Sequence, residues 1–127
     1  CVKSNTEIDE RESEAILPLC ATINMNGCAA FIFITVLFVS QVNGVDFSLF
    51  DQILWILLSI VAAFGNAGVP MGCFFMASAY LVNMNVSTDM MGLILPFYTI
   101  IDMIETPINI WSDVCILAIV DRRRKVT

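Results

Sequence analysis

The sequence has no histidine and, over most of its length, no charged side chains. Only 14% of its 127 residues are charged, against about a quarter in soluble domains. The two uncharged stretches run from residue 15 to 45 and from 52 to 88. With 58% hydrophobic residues and a mean hydropathy of +0.83, these stretches are long enough to cross a bilayer. An ordinary soluble domain is therefore excluded, and the sequence predicts an all-α, polytopic membrane protein.

The lack of histidine also removes the usual catalytic base and the usual partner of cysteine in a metal site. The five cysteines contain no C-x-x-C pair. We expect them to be small apolar fillers, and we expect neither an enzyme nor a cofactor. Nothing in the sequence predicts the ring of filter carbonyls of a channel. Only RRRK at residues 122–125 favours nucleic-acid binding, and a basic end after a membrane span explains it better.

The chain is predicted to be part of a longer polytopic protein, since it begins with Cys1 and no signal peptide is visible. Residues 1–14 form an acidic segment. Residues 15–42 are apolar and would be about 42 Å long as one helix, which exceeds a hydrocarbon core of about 30 Å. Asn24-Met25-Asn26-Gly27 interrupts this run, because all of these residues except Met25 are poor helix formers. We therefore predict a broken transmembrane helix over 15–42.

Two shorter apolar runs follow, separated by GNAGVP at residues 65–70. Their length favours a re-entrant helical hairpin over 47–82 rather than two full spans, although backbone at membrane depth is tolerated only where it lines a protein cavity. A final transmembrane helix is predicted over 90–120, with a basic tail over 121–127. Positive residues after that span place the C-terminus in the cytoplasm. Two full spans and a hairpin, or four full spans, would each place the N-terminus on the same side. The expected location is a plasma or inner membrane.

Polar residues form one face of the final helix. At about 100° per residue, they fall within a sector of about 100°. They are Asp102, Glu105, Thr106, Asn109 and Asp113. Each carboxylate at the centre of a membrane helix costs roughly 2.5 to 3.5 kcal/mol, so an ion or substrate pathway is the default interpretation. Pro107 lies in the same segment of the helix, although not on this face, and predicts a bend where the acids are, which serves packing or function equally well.

Three motifs resemble the C-terminal part of the dicarboxylate/amino acid:cation symporter family, to which the glutamate transporters belong. LPLCATINMNGCA at 17–29 resembles the family's broken seventh helix, and GNAGVP resembles the tip of its second hairpin. DMIETPINIWSD at 102–113 resembles the eighth-helix pattern D-M-x-R-T-x-x-N-x-x-x-D. The resemblance covers residues 16 to 120. It implies that 15–120 are part of a moving transport domain in a homotrimeric protein.

The resemblance also implies a binding site for an amino acid or dicarboxylate. Asp102 would hold the substrate amino group, and Thr106 and Asn109 would meet its carboxylate end. Cys28 stands where a threonine usually contacts the carboxylate, and a thiol is a weaker donor. Gly68 and Val69 would offer backbone groups of the hairpin tip. The expected partners are this small molecule and membrane lipid, with no nucleic acid.

The coupling ion implied by the resemblance is Na⁺, with H⁺ as an alternative. The ligands of one ion would be Asn24, Asn109, Asp113 and the backbone of Cys20. A second ion, near Met25, would take the carbonyls of Thr22, Ala63, Phe64 and Asn66. Oxygen ligands of this kind suit a hard cation. A third family site uses an aspartate where this chain has Asn26, so that site loses a charge.

Glu105 is the main departure from the family pattern. It stands where carriers of acidic amino acids have an arginine that binds the distal carboxylate, and an acceptor in place of this donor reverses the preferred partner. The sequence therefore predicts a neutral or cationic substrate, for example a diamino compound such as cystine. Two alternatives stay open: Glu105 takes up a proton during coupling, or a basic residue elsewhere pairs with it in a carrier of acidic substrates. A truncated, non-transporting relic is the alternative for the whole chain, since the family's first hairpin and scaffold helices are not in it.

Overall fold

A computed structural model describes residue 8 and residues 10–126 of the chain. Over these residues the fold is all-α, as predicted, with five helices. In chain order they are α1 (Glu10–Ile23), α2 (Asn26–Val42), α3 (Leu49–Gly65), α4 (Gly72–Asn83) and α5 (Asp89–Val126). The part of the acidic segment at residues 1–7 and 9 lies outside the described residues.

Helices α1 and α5 extend further into the charged segments than predicted. Helix α1 begins at Glu10 rather than at residue 15, and α5 continues to Val126 rather than ending at residue 120. Glu, Arg and Lys are good helix formers, so charge alone does not end a helix. Lys125 Nζ also lies 2.8 Å from Asp121 Oδ2 one turn earlier, and basic side chains suit a helix C-terminus. The basic tail is thus the last part of α5.

The predicted break lies at Asn24 and Met25, between α1 and α2. Helical hydrogen bonding continues up to the break, where Asn24 N–H donates to Cys20 O at 2.8 Å. It resumes where Ala29 N–H donates to Met25 O at 3.0 Å. The polar side chains of the break are therefore displayed at the junction of two half-helices, as the sequence predicted.

Helices α3 and α4 form the predicted helical hairpin. Ser48 and Asp51 form a capping box that begins α3. The tip spans residues 66–71, where Gly68 has a φ of +76°, a conformation that glycine adopts without strain. Val69 N–H donates to Asn66 O at 2.9 Å, which closes the tip as a turn. The GNAGVP cluster thus ends one helix and reverses the chain, as predicted.

Helix α2 is the centre of the packing, because it contacts α3, α4 and α5, while α1 packs against α5. Its fully buried residues include Ile32, Val36 and Val39, which meet Ala77 and Leu81 of α4 in one hydrophobic core. At the α5 side of this core, the Tyr98 ring packs against Phe31 and Phe74 at centroid distances of 5.1 and 5.4 Å. The broken helix and the hairpin are thereby held against α5.

Large apolar side chains cover the outside of this bundle. The α5 residues Ile104 and Trp111, predicted to point away from the polar face, are 57% and 75% exposed. Among the described residues, two helical stretches are long and apolar enough to span a membrane, Ser13–Val42 including its break and Asp89–Lys125. The share of each apolar window buried inside the bundle is only 39% and 17%. An outer surface of this kind is suited to lipid or to other transmembrane helices, and the chain is a membrane protein.

Candidate functional site

A cavity of about 250 Å³ lies between the helix break, the hairpin tip and the polar face of α5. We call it the central cavity. All seven residues predicted to bind substrate line it: Cys28, Gly68, Val69, Asp102, Glu105, Thr106 and Asn109. Residues from three separate segments thus meet around one space of the size of a small solute.

The polar face of α5 is not uniformly buried. Glu105 and Asp113 are 4% and 7% exposed, whereas Asp102 and Thr106 are exposed. Thr106 Oγ1 donates to Asp102 O at 3.0 Å, one turn back along the helix. Pro107 lies within α5 without ending it. The face therefore offers one open carboxylate, Asp102, beside one enclosed carboxylate, Glu105.

Glu105 is the most unusual group of the cavity. Among the described residues, neither of its carboxylate oxygens has a hydrogen-bond partner. A buried carboxylate without a partner is costly, so this group calls for a ligand, a proton or a cation. The cavity is lined by no lysine, arginine or histidine from the part of the chain described here. A cationic group that meets Glu105 in this cavity would therefore come from a bound molecule or ion, or from a part of the protein outside this chain.

Asn109 and Gly27 join α5 to the start of α2. Gly27 N–H donates to Asn109 Oδ1 at 2.8 Å, and Asn109 Nδ2 lies 3.8 Å from the thiol sulfur of Cys28. A Cβ atom on Gly27 would lie 3.0 Å from both the Cα and the carbonyl oxygen of Glu105. Only glycine permits this approach of the two backbones, which places the cavity's residues next to one another.

The first predicted cation set is brought together at the break. Asn24 Nδ2 donates to Asp113 Oδ1 at 2.8 Å and also to Ser112 Oγ. Asn109 lies on α5 one turn before Asp113, and the Cys20 carbonyl accepts the Asn24 N–H. Asp113 supplies the negative charge of this set. The sequence argument missed Ser112, although it directly precedes Asp113 in the α5 motif.

The second predicted cation set is only partly assembled. A separate cavity of about 300 Å³ is lined by Cys20, Met25, Ala63 and Phe64, and also by Asn24 and Asn26. Thr22 does not line this cavity. The Thr22 side chain is exposed, and its Oγ1 donates a hydrogen bond to Leu19 O at 2.8 Å. Asn66 lines the central cavity instead, and its carbonyl accepts the Val69 N–H within the tip.

Two further residues of the central cavity were not predicted. Tyr98 is 2% exposed and lies one turn before Asp102 on the same side of α5. Extending the predicted polar face by one turn toward the N-terminus would have included it. Cys73 is buried at the start of α4, where no sequence pattern relates it to Cys28. Cys20, Cys28 and Cys73 are buried in the hydrophobic core, as expected of apolar fillers, but Cys28 and Cys73 also line the central cavity, and Cys115 is exposed.

Replacing Gly27 with alanine is expected to lower the free energy of unfolding by about 1 to 3 kcal/mol, since the added methyl group overpacks the Glu105 backbone. Gly92→Ala is the matched control, because a Cβ on Gly92 meets nothing within 4 Å. That control should be neutral or stabilising by up to about 1 kcal/mol. Thermal or denaturant unfolding in detergent measures both, and equal effects of the two substitutions would contradict the close approach.

The fold and the cavity define a helical membrane protein that can enclose a small polar solute between broken helices. The chain belongs to the sodium:dicarboxylate symporter family, whose model matches residues 1–123. This confirms the family that the three motifs indicated. No solved structure gives a significant match to the chain.

Named relatives include carriers of two substrate classes. The putative sodium-dependent excitatory amino acid transporter glt-4 of Caenorhabditis elegans is 31% identical over 96% of this chain and 24% of its own length. Excitatory amino acid transporter 1 of Ambystoma tigrinum is 33% identical over 89% of this chain and 21% of its own. Neutral amino acid transporter A of Homo sapiens is 35% identical over the same shares, 89% and 21%. The chain spans about a quarter or less of the length of these relatives, which are transporters rather than enzymes.

Proposed function

We propose that this chain is part of the transport domain of a Na⁺-coupled amino acid symporter. Membership of the sodium:dicarboxylate symporter family supports the coupling ion, and the three named relatives are all called amino acid transporters. The broken helix and the hairpin tip meet around the cavity, an arrangement typical of secondary transporters. Na⁺ and the amino acid are then the two substrates that move together.

The substrate is a neutral or cationic amino acid. The observation that carries this proposal is that two carboxylates, Asp102 and Glu105, line the cavity, and no basic side chain does so among the described residues. An acidic side chain of a substrate would meet like charge there, which costs several kcal/mol in a poorly solvated site. The relative named neutral amino acid transporter A shows that the family includes carriers of neutral substrates.

The open carboxylate of Asp102 binds the substrate ammonium group. The Asn109 amide and the tip backbone at Gly68 line the cavity as donors for the substrate carboxylate. The Thr106 hydroxyl and the Val69 N–H would join them by exchanging their present acceptors, the carbonyls of Asp102 and Asn66. The Cys28 thiol adds a weak donor beside Asn109. Glu105 then meets either a second ammonium group of the substrate or a proton.

The coupling ions bind next to the substrate. Asp113, Asn24 and Asn109 are the side-chain ligands of one Na⁺, and the Cys20 carbonyl is its backbone ligand. The cavity at Met25, Ala63 and Phe64 takes a second, for which Thr22 and Asn66 would have to turn their carbonyls inward. Both chain ends lie on the cytoplasmic side of the membrane, and the full-length protein assembles as a homotrimer.

Uptake by the full-length protein in proteoliposomes tests the proposal. We expect a Na⁺ gradient to drive uptake of neutral or cationic amino acids, including diamino compounds, in preference to glutamate and aspartate. Transport that does not respond to Na⁺ would contradict the coupling. A preference for glutamate or aspartate would contradict the role of the two carboxylates but leave the symporter intact.

Replacing Glu105 with glutamine separates the two roles of this group. If Glu105 binds a second ammonium group, Glu105→Gln should retain Na⁺-driven uptake of neutral amino acids and weaken uptake of diamino compounds by about 10-fold or more. If Glu105 carries a proton, the same variant should lose the pH dependence of uptake for every substrate. Uptake measured at several pH values with one neutral and one diamino substrate distinguishes the two results.

A further inference from the structure

Three buried side chains with metal-binding atoms meet in the central cavity. The Sγ atoms of Cys28 and Cys73 and a carboxylate oxygen of Glu105 lie within 4.8 Å of one another. Ligand atoms around a tetrahedral Zn²⁺ stand ~3.5 to 3.8 Å apart, so inward movements of about 1 Å would bring all three into coordination. We call these residues the thiol–carboxylate cluster.

An amide group lies beside each sulfur atom of the cluster. Asn109 Nδ2 lies 3.8 Å from Cys28 Sγ, and Asn66 Nδ2 lies 3.7 Å from Cys73 Sγ. Hydrogen bonds from surrounding groups orient metal ligands and tune a metal site. Glu105 is 4% exposed, and its two carboxylate oxygens have no hydrogen-bond partner among the described residues. The cluster thus combines two thiols that lie beside amide groups with an enclosed carboxylate.

We propose that the thiol–carboxylate cluster binds a soft divalent metal ion of the Zn²⁺ class. Cys28 and Cys73 bind as thiolates and release their two protons to the cavity, and Glu105 binds through its carboxylate. Three ligands leave one position of a tetrahedral ion open toward the cavity. Sulfur ligands favour Zn²⁺ and Cd²⁺ over Na⁺ and Mg²⁺, so this site is distinct in chemistry from the coupling-ion sites.

The metal would connect three helices, because Cys28 lies on α2, Cys73 on α4 and Glu105 on α5. Its binding would hold the second arm of the hairpin against the broken helix. It would also occupy cavity space that Cys28 and Glu105 share with the candidate substrate site. We therefore expect micromolar concentrations of Zn²⁺ to inhibit any transport through this cavity. Metal binding itself does not depend on transport.

The experiment is a titration of the reduced full-length protein, in detergent and after removal of metals, with Cd²⁺ alone. Ultraviolet thiolate-to-metal absorption should show one ion bound per chain. Cys28→Ser and Cys73→Ser should each weaken Cd²⁺ binding by at least about 10-fold. Cys115→Ser is the matched control and should leave binding unchanged, because Cys115 is exposed and outside the cluster.

A second measurement needs no variant. Alkylation of the unmodified protein with and without Zn²⁺, mapped by mass spectrometry, should show protection of Cys28 and Cys73 but not of Cys115. Equal alkylation of Cys28 and Cys73 in both conditions would overturn the proposal. Cd²⁺ binding by the Cys28→Ser/Cys73→Ser double variant as tight as that of the parent would also overturn it.

Discussion

Replacing Glu105 with arginine is expected to reverse the charge preference of uptake toward acidic amino acids. The substitution removes a like charge from the central cavity and adds a guanidinium that can bind a distal carboxylate through two hydrogen bonds. A change of ~3 kcal/mol corresponds to about a 100-fold rise in the preference for glutamate over a neutral amino acid. Competition of unlabelled amino acids against labelled substrate in proteoliposomes measures this ratio.

Glu105→Gln is the matched control for this reversal, since it removes the negative charge without adding a positive one. It should move the preference only part of the way. A well-folded Glu105→Arg protein that still binds Na⁺ but shows no gain for glutamate would mean that Glu105 does not face the substrate. Unfolding temperature distinguishes that result from a failure to accommodate the larger side chain.

Replacing Asp113 with asparagine is expected to weaken Na⁺ binding by about 100-fold, or ~3 kcal/mol, because Asp113 supplies the carboxylate of the first cation set. Asp113 is 7% exposed and its Oδ1 accepts a hydrogen bond from Asn24 at 2.8 Å, so the charge is enclosed and positioned. The Na⁺ concentration for half-maximal uptake should rise accordingly. Substrate binding at saturating Na⁺ should change much less.

Asp121→Asn is the control on the same helix. Asp121 has the same 7% exposure as Asp113, but it pairs with Lys125, whose side chain is 55% exposed, outside both cavities. Because this pair lies outside both cavities, its loss should leave Na⁺ dependence unchanged, whatever its effect on stability. Equal Na⁺ dependence of the Asp113→Asn protein and its parent would remove Asp113 from the cation site.

Much of the fold was predictable because its signals are local. Asn24, Asn26 and Gly27 have poor helix propensity and predict the interruption of a helix. GNAGVP reverses the chain because glycine and proline do not continue helices. The polar face of α5 followed from helical periodicity, which places Asp102, Glu105 and Asn109 on one side. The start of α1 and the end of α5 were placed wrongly because charged residues form helices well. The change from apolar to charged residues at Glu10 and Asp121 therefore does not mark the end of a helix.

The site was predictable where a motif and a helical face agree, and not where it depends on packing between segments. The motifs brought Cys28, Gly68, Val69 and the α5 face to one cavity, but they could not show that Ser112 bonds to Asn24 or that Asn66 turns toward Cys73. Such contacts depend on the rotation of one helix against another. A single rotation of tens of degrees would separate them without changing any local pattern.

The sequence by itself determined an all-α membrane chain with a broken helix, a hairpin and three acids on one helical face, since hydropathy, helix propensity and periodicity all act along the chain. Only the tertiary structure decided that Asp102 is open while Glu105 is enclosed, and that Cys73 meets Cys28 beside that carboxylate. The physical reason is the close approach of α2 to α5 at Gly27 and the packing of α4 on α2. These two contacts turn a line of polar residues into an enclosed site.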